Sequence, residues 1–186
     1  MLRHSWHVLA GLVFPVASYF MPRVLLLSGL GAVTLAFLLG EGLRMWRPNI
    51  NRYFLSRFSF VLKESESRNL TGSTYFLLGS LLTLLLFPQQ AAAAALIYTA
   101  VADPAAAVVG RRWGRRRLKS GKSLEGSLAF LATALAVGVI LGPTGLPFRA
   151  AAAGAVVATL VEVLPIRLDD NLSVPLASAA IMAWLL

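Results

Sequence analysis

The chain has 186 residues, of which 58% are hydrophobic and only 13% charged, and its 17 Lys/Arg against eight Asp/Glu give a net charge of +9. Soluble domains carry about 25% charged residues, so a chain this apolar cannot clothe a water-facing surface; it is expected in a bilayer, as a single membrane domain over 1–186. There is no cysteine, which excludes disulfides, thiolate metal centres and thiol nucleophiles.

The first apolar run, 6–21, ends at Met21-Pro22 without a small-residue cleavage pattern, and a second run, 23–40, follows at once; both are expected as retained helices and not as a signal peptide. The connection 41–71 is the longest. In it Arg44, Arg47, Arg52, Arg57 and Lys63 interleave with Trp46, Tyr53, Phe54, Phe58 and Phe60, which suits an interfacial helix beside anionic lipid head groups. It closes on "KESESRNLTG", where two Glu and an Arg collect before a helix start. Thr71 is a candidate N-cap there, and Arg68 and Thr71 are candidate substrate contacts. Further apolar segments are expected at 72–88, 91–109, 125–142, 149–165 and 174–186. Ser123 is a candidate cap for the fifth segment. Pro22, Pro88, Pro143, Pro147 and Pro165 stand at segment ends, and Pro175 is expected in the first turn of the last. The expected fold class is all-α, a polytopic bundle of about seven transmembrane helices. Its first and last helices are short and would gain from a partner in a homodimer.

With the N-terminus cytoplasmic, the inner segments are 1–5, 41–71, 110–124 and 166–173, and of the 17 Lys/Arg all but Arg23 and Arg149, that is 15, fall inside. This is a strong positive-inside pattern. All eight carboxylates also fall in inner loops or near inner helix ends. An integral cell-membrane protein with its site on the cytoplasmic face, built from the inner loops 41–71, 110–124 and 166–173, is therefore expected. Topology accounts for the basic residues, so nucleic acid is not an expected partner.

Asp103 sits in the apolar run 91–109, where a charge is costly and usually functional. Pro104 after it removes an N–H and distorts the helix, freeing a carbonyl about one turn back. The loop that follows, "GRRWGRRRLKSGKS", supplies positive charge from Arg111, Arg112, Arg115, Arg116, Arg117, Lys119 and Lys122, arginine suiting bidentate phosphate contacts and lysine acting as a point charge; topology or lipid head groups are the other reading for Arg115, Arg116 and Arg117. Lys122 and Ser123 stand at a helix start, where N–H groups and the dipole favour an anion. The spacing from Gly114 to Gly121 is longer than a Walker A loop has, so a P-loop NTPase is excluded. Glu125, in the first helical turn, is either a dipole-complementing residue or a magnesium ligand. In "EVLPIRLDDNLSVP", Glu162, Asp169, Asp170 and Asn171 are hard oxygen donors of the kind Mg²⁺ accepts; a plain Pro/Asp/Asn turn is the other reading. His7 is a candidate contact to an anion or a substrate hydroxyl, and Glu162 is a further candidate substrate contact. Basic groups for phosphate, carboxylates for a divalent cation and a lipid-facing scaffold are the ingredients of phosphoryl or nucleotidyl transfer to a membrane-soluble acceptor.

"ADPAAAVVGRRWG", "GKSLEGSLAF" and "EVLPIRLDDNLSVPL" resemble the CTP-dependent lipid kinases: dolichol, phytol and diacylglycerol/polyprenol kinases, related to phosphatidate cytidylyltransferase. The likeness extends to "ESRNLTGSTYFLLG" and to "RHSWHVLAG", where His4 replaces a lysine of the family pattern. The resemblance implies transfer of the γ-phosphate of CTP, or a related nucleotide, to a lipid alcohol with Mg²⁺. It implies a nucleotide-side motif of Asp103, Gly110, Arg111, Gly114, Lys122, Ser123, Glu125, Gly126 and Ser127, and a second motif of Asp169, Asp170 and Asn171. On this reading Arg111 and Lys122 hold phosphates, and Asp103 with Glu125, Asp169 or Asp170 holds the metal. Asp103 or Asp170 orients or deprotonates the hydroxyl. A cytidylyltransferase making a CDP-lipid is one alternative. A small transporter or lipid-binding membrane protein is another, against which no inverted repeat is evident.

Overall fold

All seven apolar segments are helical. The computed structural model describes residues 2–58, 69–118, 120–165 and 168–186, with the backbone alone for 2–7 and 58. Its α-helices are α1 (Leu2–Phe20), α2 (Arg23–Trp46), α3 (Pro48–Phe58), α4 (Gly72–Leu86), α5 (Gln89–Ile97), α6 (Asp103–Trp113), α7 (Leu124–Ile140), α8 (Phe148–Val163) and α9 (Asp170–Trp184). Among the described residues there is no strand. Among the described residues two helical runs are long and apolar enough to cross a bilayer: Arg23–Trp46 and the continuous Gln89–Trp113. Of the others, α4 and α9 have 15 residues each, about 23 Å against a hydrocarbon core of about 30 Å.

The run Gln89–Trp113 is the central element. Pro104 does not break it. A π-helical stretch, Tyr98–Ala102, joins α5 to α6 directly before Asp103-Pro104, and widening the turn there accommodates a proline that has no N–H for the carbonyl one turn back. Ala91 to Leu96, Tyr98, Ala100 and Ala102 are buried. Around them pack Phe130 and Ala134 of α7, Ala150, Ala151, Ala155 and Ala158 of α8, and Val174, Ala179 and Met182 of α9. This is small-residue packing of the kind that brings membrane helices close; Tyr98 anchors it by donating from its hydroxyl to the Ala151 carbonyl, 3.0 Å away. A second cluster joins Leu26 and Leu30 of α2 to Leu77 and Leu84 of α4 and Leu96 of α5. Buried Thr34, Thr99 and Ser178 hydroxyls bond carbonyls of their own helices, the local solution where no water is at hand. Outward-facing Val24, Leu25, Leu35, Leu39, Leu86, Val139, Ile140 and Leu160 are exposed, a belt suited to lipid.

The last helix starts earlier than the sequence suggests. Asp169 caps it, accepting from the Asn171 N–H at 3.0 Å, so Pro175 lies inside α9 and not in its first turn. The Asn171 carbonyl, which Pro175 cannot satisfy, lies against Gly79 of α4, where a Cβ would come within 2.1 Å of it. Thr71 and Ser123 do cap α4 and α7, accepting from the N–H groups of Thr74 and Gly126.

One expectation for the 41–71 connection fails at Arg44. It is not on the lipid-facing surface but buried, ion-paired with buried Glu41. Its guanidinium also donates to Asn51 Oδ1 at 2.9 Å and to the Asn69 carbonyl at 2.8 Å. Glu41 Oε1 in turn accepts from the Thr71 N–H and the Thr74 hydroxyl, both at 3.1 Å. The cluster ties the end of α2 to α3 and to the start of α4. Arg47, stacked over the exposed Trp46, does face outward, as do Arg52, Tyr53 and Arg57.

Candidate active site

The segment between α6 and α7 is a tight turn. Leu118 N–H donates to the Lys122 carbonyl at 2.8 Å, Leu124 N–H to the Arg116 carbonyl at 2.9 Å, and Gly121 takes φ +82°, a backbone that glycine adopts freely. The Glu125 carboxylate accepts from the Arg116 N–H at 3.3 and 3.4 Å, clipping the turn to the first turn of α7. Gly110 and Gly126 mark the close crossing of α6 and α7: a Cβ on Gly126 would lie 2.9 Å from the Ala106 carbonyl, and one on Gly110 would lie 2.7 Å from Ser123 Oγ. Gly114 is equally confined, 2.2 Å from the Gly110 carbonyl by the same measure.

This crossing opens into a cavity of about 250 Å³ lined by Asp103, Gly110, Arg111, Arg117, Lys122, Ser123, Gly126, Ser127 and Glu162, with Ala106, Ala107 and Gly121. Most of the basic-loop and "GKSLEGS" candidates therefore share one space with the α6 carboxylate. Lys122 reaches further. Its Nζ lies 2.8 Å from Glu162 Oε1 and 2.8 Å from Asp170 Oδ2, and it donates to the Glu162 carbonyl, joining the α6–α7 turn to α8 and α9. Burial pulls the Lys122 ammonium toward losing its proton; the hydrogen bonds and charges of Asp170 and Glu162 more than offset this, and its pKa is raised. Glu162 is 5% exposed. Its Oε2 is buried and accepts no hydrogen bond among the described residues.

Other candidates are placed elsewhere. Asp169 and Asn171 bond each other at the start of α9 and shape the turn that carries Asp170. Glu125, Gly114 and Thr71 do not line the cavity; Thr71 belongs to the Glu41–Arg44 cluster. Arg68 and the side chain of His7 lie outside the described residues. The first N–H groups of α7 are less available than a bare helix start: Leu124 gives its N–H to Arg116 and Gly126 to Ser123 Oγ. One residue is more central than the sequence indicates: Arg117, one of a run of three arginines, lines the cavity. Glu162, a candidate from the sequence, sits under Lys122. Among the described residues no three His, Asp or Glu side chains form a ready metal cage.

No family model matches the chain, and no solved structure matches it. An uncharacterised protein of Rickettsia prowazekii is 29% identical over 184 residues, covering 94% of this chain and 89% of its own. CTP-dependent diacylglycerol kinase 1 of Schizosaccharomyces pombe is 27% identical over 160 residues, 77% of this chain and 73% of that protein. The probable chloroplastic phytol kinase 1 of Glycine max is 30% identical over 205 residues, 94% of this chain and 63% of that protein. The chain is thus a distant relative of proteins named as lipid kinases, and the likeness runs through most of its length.

Proposed function

We propose that the chain transfers the γ-phosphate of CTP to the hydroxyl of a membrane lipid alcohol. The observation that carries this is the shared cavity, in which Arg111, Arg117 and Lys122 face Asp103 and Glu162 at the crossing of α6 and α7. Cations there suit a triphosphate, and carboxylates suit a divalent ion and a hydroxyl proton. The names of the two kinase relatives support CTP as donor and a lipid alcohol as acceptor. The cavity, at about 250 Å³, suits the phosphate end of a nucleotide, and the lipid tail stays in the bilayer.

Arg111 and Arg117 hold the β- and γ-phosphates, with Lys122 joining them. The hydroxyl oxygen attacks the γ-phosphorus as the bond to the β,γ-bridging oxygen breaks. CDP leaves, and Asp103 takes the hydroxyl proton. Mg²⁺, when bound, neutralises charge on the phosphate oxygens. Both Glu125 oxygens share the Arg116 N–H, Asp169 Oδ1 takes the Asn171 N–H and side-chain amide, and Asp103 is given to the hydroxyl, so Glu162 and Asp170 are the proposed donors. The orphaned, buried Glu162 Oε2 is the observation that favours them. Two carboxylates completed by phosphate oxygens and waters are an ordinary Mg²⁺ set. The bundle spans the membrane about seven times with this face toward the cytoplasm.

The test is label fate. Purified protein is given CTP labelled at the γ- or the α-phosphate, with diacylglycerol, phytol, dolichol, undecaprenol and phosphatidate, the lipid phosphate a cytidylyltransferase requires, in separate reactions. Lipid carrying only γ-label is the expected product. Lipid carrying α-label shows a cytidylyltransferase, and no labelled lipid from any acceptor overturns the enzyme reading. Asp103→Asn should lower the kinase rate by about 10²-fold or more, the scale of a lost general base; full activity in that variant removes Asp103 from the reaction.

A further inference from the structure

Lys122 fills the place between two carboxylates that reach it from different helices, Glu162 on α8 and Asp170 on α9, each 2.8 Å from its Nζ. A divalent cation with those ligands would occupy the same point. Behind it Glu162 Oε2 is buried without a hydrogen-bond partner among the described residues, an expensive state for a carboxylate oxygen, and beside it the cavity holds Arg111 and Arg117. Lys122 follows Gly121 in an exposed turn, and its four-carbon stem can swing where an arginine fork would not.

We infer that Lys122 is a displaceable counter-ion: it holds Glu162 and Asp170 in the nucleotide-free protein, and a divalent cation arriving with a nucleoside triphosphate takes its seat and sends the ammonium to the phosphates. The inference rests on the kinase reading for the identity of the nucleotide. Lysine and metal compete for the same oxygens, so the metal alone binds weakly. Phosphates give the displaced ammonium a new partner, so nucleotide and metal each strengthen the other by the same factor.

The probe is Mn²⁺, with its free concentration followed by electron paramagnetic resonance on the full chain in nanodiscs. Lys122→Met should bind Mn²⁺ at least about tenfold more tightly than wild type, within the usual range of such coupling. Lys122→Arg should stay weak, and adding Glu162→Gln to Lys122→Met should cancel the gain. Equal Mn²⁺ affinity in wild type and Lys122→Met overturns the inference. A second readout needs no variant: Mn²⁺ should raise acetylation of Lys122 by acetic anhydride relative to Lys63, and unchanged labelling at saturating Mn²⁺ overturns it. The two proposals fail separately. If Mn²⁺ displaces the lysine but CTP neither tightens Mn²⁺ nor labels lipid, displacement stands and the kinase reading falls. If lipid is phosphorylated while Lys122→Met gains nothing, the kinase stands and displacement falls.

Discussion

Lys122 is held by charge more than by packing, and this gives its contribution a definite pH window. Its pKa is raised above the ordinary 10.5 because two carboxylates outweigh the cost of burial. A raised basic group stabilises the fold fully below its unfolded pKa and loses that contribution as pH rises through the folded value. Thermal unfolding in detergent should therefore show no Lys122-dependent change from pH 6 to 9, as far as Lys122 is concerned, and a loss only in the alkaline range above about 10.5. Lys122→Met should erase that alkaline limb; an alkaline limb that survives in Lys122→Met contradicts the ion-pair geometry. The Glu41–Arg44 pair makes a harsher prediction because both partners are buried. Glu41→Gln leaves a guanidinium without its counter-charge and should cost about 3–5 kcal/mol. Replacing both, Glu41→Gln with Arg44→Met, should cost less than the sum of the single changes, and a double-mutant cycle reads the difference. Additive losses would mean the pair is not coupled.

Among the helices, two glycines separate close approach from open surface. A Cβ at Gly79 would meet the Asn171 carbonyl at 2.1 Å and Leu172 Cα at 3.2 Å, both backbone atoms of α9, whereas Gly29 on α2 has nothing within 4 Å. Gly79→Ala should destabilise by about 1–3 kcal/mol, the range for forced overpacking, and by pushing α9 it should also shift Asp170 away from Lys122. Gly29→Ala should be neutral or gain up to about 1 kcal/mol from helix propensity. Unfolding in mixed micelles ranks the two, and equal stabilities would place α4 and α9 further apart than described. The helices were legible in the sequence because an apolar run with few charges has little choice but to satisfy its backbone internally. Thr71 and Ser123 were legible as caps by the same local logic. Asp169 was not, since a carboxylate beside another carboxylate reads as a ligand until its partner N–H is seen. Arg44 looked lipid-facing although Glu41, three residues earlier, already had helix-neighbour spacing. The Lys122 contacts to Glu162 and Asp170 span 40 and 48 residues of chain, and no local pattern encodes them. The distortion before Pro104 was legible from the proline itself, though not that it takes the form of a π-helical turn.

At the scale of the whole molecule, the connections sort to two ends. Tyr19 at the end of α1 bonds Thr144 in the α7–α8 connection, Gln89 at the start of α5 bonds the Ser18 carbonyl, and Arg23 donates to the Leu84 and Leu85 carbonyls at the end of α4. Three turns that hold only Arg23 and Arg149 among the Lys/Arg are thus gathered together. The basic turn before α7 instead meets the end of α8 and the start of α9 through Lys122. Lys/Arg bias sets orientation in the bilayer, so the end holding the basic turn should face the cytoplasm. The absence of cysteine makes this testable with single thiols. Arg149→Cys and Arg116→Cys both replace exposed side chains. In intact expressing bacteria with a permeable outer membrane, a membrane-impermeant maleimide should label the 149 thiol at once and the 116 thiol only after the inner membrane is opened. The reverse order would invert the molecule and move the cavity away from the compartment where CTP is made. Equal labelling of both in intact cells would mean the two ends are not on opposite faces, and a bundle spanning the bilayer would then be untenable.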